Sequence, residues 1–149
     1  MIMEEKPLLP PGLHDFELDD IGNHFLIDFP ESCTRFNLIE GFKKYISLLS
    51  KVGIPIELWL DGSFTTKKTD PNDIDMVIFA SEKDVNHLQG QNRNLLIKLV
   101  DRVSTRHTFG CDVLFSVKEN ENQRSYWRGW YGFDRNENPK GIVRIMVNT

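Results

Sequence analysis

Four short runs along the chain carry the apolar patterning of buried strands: residues 56–60, 74–79, 111–117 and 142–147. In the second run Ile74, Met76 and Ile78 share one face, while Asp73, Asp75, Val77 and Phe79 share the other. Helical spacing appears between the strands. Leu38, Phe42, Tyr45 and Leu49, with Ile39 and Ile46 beside them, form one stripe, and Lys43, Lys44 and Lys51 fall outside it. Ser32 is the expected N-cap of this helix, which ends near Val52 with Gly53 and Pro55 beyond. Shorter helices are predicted over residues 15–25 and over 81–87, the latter capped by Ser81. A further helix over 92–103 carries Leu95, Leu96, Leu99, Val100 and Val103 on one side. Residues 1–13, with Pro7, Pro10, Pro11 and Gly12, read as an extended arm because proline lacks a backbone donor. The run over 142–147 reads as an edge strand. Strands alternating with helices predict an α+β (α/β-like) sheet with helices packed on it, and 149 residues suit one domain spanning 1–149.

Composition narrows the class. No apolar run approaches the roughly 20 residues that span a bilayer, and the N-terminus lacks a secretory pattern. The two cysteines, Cys33 and Cys111, make no disulfide framework, since Cys111 lies in a predicted buried strand; a reducing cytoplasm is the expected setting. A formal net charge of −4 argues against a broad nucleic-acid-binding surface, which needs basic charge to displace phosphate counterions. It leaves a nucleotide substrate open, because bound metal reverses the local field.

The candidate chemistry lies between the first two strands, from Asp61 to Phe79. Asp73 and Asp75 are two apart on a strand and so point to one side. Like charges held together resist ionisation, so such a pair seldom serves stability, and oxygen-only ligands favour a hard divalent ion. Asp112 opens the third strand in the same way. Gly62 and Ser63 form a turn whose amides and hydroxyl suit phosphate, and Lys67 or Lys68 would reach phosphate as a point charge. A Gly-Ser pair or an isolated Asp-x-Asp is by itself an ordinary turn; the ordered combination on strands is far more specific. His14, His24, His87 and His107 show no ligand spacing and read as surface or hydrogen-bonded side chains. Tyr126, Trp127, Trp130, Tyr131 and Phe133 read either as a hydrophobic lid over one end of the sheet or as a stacking platform for a base. Arg124, Arg128, Arg135 and Lys140 place positive charge among them, suited to phosphate or to solvent, and Arg35 has the same ambiguity.

Gly62-Ser63, nine intervening residues, Asp73-x-Asp75 and a later carboxylate in an apolar strand resemble the signature of the polymerase-beta-type nucleotidyltransferase superfamily. Within it the chain is similar to the small stand-alone bacterial minimal nucleotidyltransferases, which often accompany a HEPN partner in toxin–antitoxin pairs. Leu9-Pro-Pro-Gly-Leu-His14, Trp127-x-x-Trp-Tyr-Gly-Phe-Asp-Arg135 and Pro139-Lys-Gly-Ile142 resemble an uncharacterised bacterial family of such proteins. The resemblance implies a minimal nucleotidyltransferase fold, a small mixed β-sheet flanked by helices. It also implies two magnesium or manganese ions in the active complex, with Asp73 and Asp75 contacting both and Asp112 holding the catalytic ion.

The activity implied is transfer of a nucleoside monophosphate from an NTP to a hydroxyl, on a tRNA 3′ end or on a tyrosine or serine of a partner protein, in a toxin–antitoxin or defence setting. The acidic surface leans toward a protein or small acceptor. The alternative is a catalytically inactive antitoxin or interaction module acting by partner binding, because little chain remains after Asp112 for acceptor recognition. A subunit of an assembly that makes a nucleotide messenger is a third reading, resting on the shared fold alone. All of these need the carboxylates of Asp73, Asp75 and Asp112 to converge beside the Ser63 bend.

Overall fold

The computed structural model describes residues 9–133 and 139–148. Most of the expected N-terminal arm, and Arg135, lie outside those residues. Five strands form one mixed sheet: β1 (Gly12–Asp15), β2 (Ile56–Asp61), β3 (Ile74–Ala80), β4 (Cys111–Val117) and β5 (Gly141–Val147), in the order β1-β5-β2-β3-β4. β2 runs antiparallel to both β3 and β5, whereas β1 is parallel to β5 and β3 is parallel to β4. Six helices accompany the sheet: α1 (Asp20–Phe25), α2 (Arg35–Ser50), α3 (Glu82–His87), α4 (Gly90–Leu99), α5 (Arg102–Phe109) and α6 (Glu121–Tyr131). The chain is an α+β protein. No helix among the described residues is long and apolar enough to cross a membrane.

Strand alternation gives the sheet two unequal faces. Ile56, Leu58 and Leu60 of β2, with Ile74, Met76 and Ile78 of β3, meet Leu38, Phe42, Tyr45 and Leu49 of α2 in the larger core. Burying a side chain of this size contributes roughly 1.5–3 kcal/mol, so this face supplies most of the drive to fold. The opposite face carries a smaller cluster of Trp59, Val77, Phe79 and Ile142, roofed by Trp127 and Tyr131 of α6. The facing predicted for β3 therefore holds, and its aspartates lie on the thinly covered side.

Several expectations need correction. β5 is an interior strand, because Gly12–Asp15 pairs along it and takes the edge. That pairing places the end of the expected arm and the start of the expected first helix in a strand, and α1 begins only at Asp20. The helix expected over 92–103 is two helices. Asp101 leaves helical geometry and accepts a hydrogen bond from the Ser104 amide, which starts α5 and leaves Val103 exposed. Ser32 accepts from the amide of Arg35, and Ser81 accepts from that of Asp84, so both act as the helix-starting acceptors expected of them.

Arg35 at the start of α2 is fully buried and organises the loop between β2 and β3. Its five N–H groups donate to four backbone carbonyls: Nε and Nη2 to Lys68, Nη2 also to Thr66, and Nη1 to Phe25 and Phe64. The guanidinium lies 3.7 Å from the Phe29 ring centroid. Burial lowers its pKa to about 10, opposed by the charge of Asp70. Asp70 in turn accepts from the Cys33 amide at 2.6 Å, tying the far end of the same loop to the helix start. Arg35 is thus neither a phosphate ligand nor a solvated charge. Lysine has a compact ammonium with three donors and cannot span these carbonyls. Arg35→Lys is expected to lose about 2–4 kcal/mol, the order of one or two buried charged hydrogen bonds, as a lower urea midpoint. An unchanged midpoint would contradict this account of the loop.

Candidate functional site: an aspartate row across three strands

Register alone builds the site. Asp61 at the end of β2 pairs with Asp75 of β3, and Asp75 pairs with Asp112 of β4. Three carboxylates therefore stand in a row on adjacent strands, on the thinly covered face, with Asp73 two residues before Asp75. Single oxygens of Asp73, Asp75 and Asp112 lie within 4.8 Å of one another. β3 and β4 fix Asp75 and Asp112 more firmly than a loop would, and Asp73 is the loop residue that immediately precedes β3.

Gly62 makes the turn beside them possible. Its φ is +79°, and a Cβ there would lie 2.2 Å from Oδ2 of Asp75. Only glycine lets the chain leave β2 this close to a carboxylate. Ser63 then opens a 3-10 turn over Ser63–Thr65, in which the amide of Thr65 donates to the carbonyl of Gly62. On the other side, Gly110 ends α5 in left-handed geometry and delivers the chain to β4 two residues before Asp112.

Each carboxylate has a different electrostatic environment. Asp61 and Lys140 are both buried and meet at 2.5 Å. Burial still holds the Asp61 carboxyl well above the usual carboxylate range, in spite of the lysine. Asp112 receives Nε of Arg102 at 2.5 Å and Nη2 of Arg102 and of Arg106, each at 3.0 Å. Burial acts to raise its pKa, but the two guanidinium groups outweigh it and the net shift is downward. Asp73 and Asp75 have no ion pair among the described residues. Burial and repulsion from its neighbours push Asp75 up to about 6, and burial with the Asp112 charge raises Asp73. Tyr131, buried on α6, is raised by burial and by the charges of Asp61, Asp75 and Asp112.

Of the expected site residues, Gly62, Ser63, Asp73, Asp75 and Asp112 come together, and Lys68 is near enough for its charge to lower the pKa of Asp73. Lys67 lines a groove with Asp28, Phe29, Pro30, Glu31 and Thr69.

The sequence reading did not single out Asp61, Arg102 or Arg106. Asp61 reads as the polar end of a strand until the register of β2 against β3 is known. Arg102 lay at the end of the helix expected over 92–103 and Arg106 lay beyond it; in the structure they are four apart at the start of α5 and face Asp112 together. Lys140 is buried on Asp61 rather than displayed to phosphate or solvent. Arg124 donates to Glu57 at 3.1 Å and lies over the rings of Trp59 and Phe79, so it fastens α6 to the sheet. Of the aromatic group, Trp127 and Tyr131 roof the smaller core, while Tyr126, Trp130 and Phe133 are exposed. His14 bonds the carbonyl of Pro10 and His87 that of Lys83, both at 2.6 Å, as expected of hydrogen-bonded histidines.

The raised Asp75 pKa sets a pH dependence. The folded carboxyl keeps its proton to about pH 6, whereas the unfolded one releases it near pH 4. The native state binds more protons between these values, so this group's contribution to stability is present below about pH 4 and is lost as pH rises through 6. Asparagine cannot ionise. Asp75→Asn should therefore gain about 1–2 kcal/mol at pH 7.5, allowing for solvent screening, and gain little at pH 4. Thermal unfolding at the two pH values checks this; equal gains at both, or a loss at pH 7.5, would contradict it.

Comparison with curated proteins and with solved structures gives no match. A family model does match, over residues 1–146, nearly the whole chain. With its aspartate row and its Arg35-bound loop, the chain belongs to DUF6932, a family of unknown function.

Proposed function

We propose that the protein is a metal-dependent nucleotidyltransferase that moves a nucleoside monophosphate from an NTP to a hydroxyl acceptor. One observation carries the reading: Asp73, Asp75 and Asp112 bring carboxylate oxygens within 4.8 Å of one another beside the Gly62–Ser63 turn. The donor set fits magnesium or manganese. It is all carboxylate oxygen, and three carboxylates this close repel one another, a repulsion that adds to burial in raising Asp73 and Asp75 and that a cation would relieve. Asp73, Asp75 and Asp112 would hold two such ions. Bound there, the ions supply charge neutralisation on the triphosphate and a lowered pKa for the acceptor hydroxyl.

The chain's own groups do the rest. The Gly62–Ser63 turn offers backbone approach and a hydroxyl to phosphate oxygens, and the absent Cβ at Gly62 leaves Asp75 its place. Lys68 adds positive charge near Asp73. Tyr131 and Trp127 pack on the smaller core, and Tyr131 lies close enough to Asp61 and Asp75 for their charges to raise its pKa. The exposed aromatic side chains Tyr126 and Trp130 suit stacking of a base, and the acceptor belongs to the classes that the sequence resemblance implies: a tRNA 3′ end, or a tyrosine or serine of a partner protein.

A second reading has its own support. Arg102 and Arg106 already satisfy the charge of Asp112, as suits an inactive domain that neutralises a HEPN-type toxin by contact. Labelled NTP with candidate acceptors separates the two. The wild type should transfer label, and Asp73→Ala with Asp75→Ala should reduce transfer by at least about a hundredfold, as loss of both shared ligands requires. Equal labelling by the two proteins rejects the enzymatic reading. Toxin neutralisation by the aspartate variant, without any labelling by wild type, would favour the binding module.

A further inference from the structure

We infer that Arg102 and Arg106 form a polyphosphate-binding fork that rests on Asp112 until a divalent cation takes its place. The inference rests on the metal-binding part of the proposed function and adds two residues that neither the sequence resemblance nor the family match assigns.

The pair has the geometry of an anion site. Arg102 addresses Asp112 through Nε and Nη2, a two-pronged arrangement that carboxylate and phosphate oxygens accept equally well. Arg106, one helical turn further along α5, brings a second guanidinium to the same carboxylate. Asp112 is largely buried, but the side chains of Arg102 and Arg106 are 54% and 51% exposed. The aspartate is thus fixed by its strand, while both arginine side chains face solvent and give up little packing if they turn. Turning away leaves both guanidinium groups in water, and the incoming cation then answers the charge of the buried Asp112 carboxylate, so the contact is exchanged and not simply broken.

Charge balance gives the direction of the change. A cation held by Asp73, Asp75 and Asp112 claims the Asp112 oxygens that the arginines now occupy. Two guanidinium groups then stand at the edge of the site without a counter-charge, opposite the Gly62–Ser63 turn across the aspartate row. A polyphosphate brought by the cation supplies that counter-charge and offers several oxygens to the forks. The arginines on Asp112 therefore oppose cation binding alone and favour cation and polyphosphate together. A purely structural role, tethering α5 to β4, predicts no such opposition of sign.

Two probes without a nucleoside read this out: manganese alone, and inorganic tripolyphosphate in the presence of saturating manganese. They are titrated into the full chain by calorimetry. Relative to wild type, Arg102→Gln with Arg106→Gln should bind manganese roughly tenfold tighter and tripolyphosphate roughly tenfold more weakly, each the worth of about one charged hydrogen bond. Arg102→Lys with Arg106→Lys keeps the charge and loses the fork, so its tripolyphosphate affinity should fall between the two. It also carries the test if the glutamine variant fails to fold by circular dichroism. Manganese affinity that is unchanged or weaker in the variants, or tripolyphosphate affinity that is unchanged, overturns the inference. The transferase reading fails separately: a wild type that shows this exchange but transfers no label to any acceptor keeps the fork and loses the enzyme.

Discussion

Negative charge gathered on one small area of sheet is the constraint around which this structure is arranged. Asp61, Asp75 and Asp112 are placed side by side by strand register, and Asp73 is added two residues before Asp75. A sheet gains nothing in stability from such a row, because like charges directly opposite one another are destabilising. Cations answer the charge one carboxylate at a time. Lys140 is buried against Asp61, and Arg102 with Arg106 covers Asp112. Asp73 and Asp75 are left to burial and mutual repulsion, and their raised pKa values follow.

The rest of the fold holds this arrangement still. The large core on one face of the sheet fixes the strands, and the smaller cluster beneath α6 leaves the other face room for a site. Arg35 fixes the loop that joins Asp61 to Asp73 by bonding its carbonyls from within, and Asp70 ties the loop's far end to the start of α2. Such a polar network specifies one conformation when every donor is used, and all five guanidinium donors are used here. In the proposed reading, a divalent ion at Asp73 and Asp75 would relieve the repulsion that the fold leaves there.

Local pattern was enough to read β2 to β5 and the Asp73–Asp75 pair. Strand period 2 set the facing of β3, and β4 was bounded by Gly110 and its apolar run. Long-range pairing was not readable. Asp61 joins the row only through the antiparallel register of β2 with β3, and Lys140 meets it from the position just before β5, some eighty residues later. The edge assignment of β5 failed for the same reason, since β1 is too short and too mixed in polarity to announce itself. Arg102 was missed because continuous apolar spacing across 92–103 hid the break at Asp101, and Arg106 lay beyond any element expected there. The capping residue was in the sequence, four residues before Thr105, and Asp-x-x-Ser at that point was the signal that could have found it.

The central claim is that Asp73, Asp75 and Asp112 are one cation site. Paramagnetic broadening of backbone amide signals by manganese, added in small steps to the labelled protein, tests it most directly. The account predicts that amides of residues 62–63, 73–75 and 111–113 fade first and together, ahead of those near exposed acids such as Glu82 and Glu121. Broadening that begins at those exposed acids, or that reaches 73–75 and leaves 111–113 untouched, would contradict it.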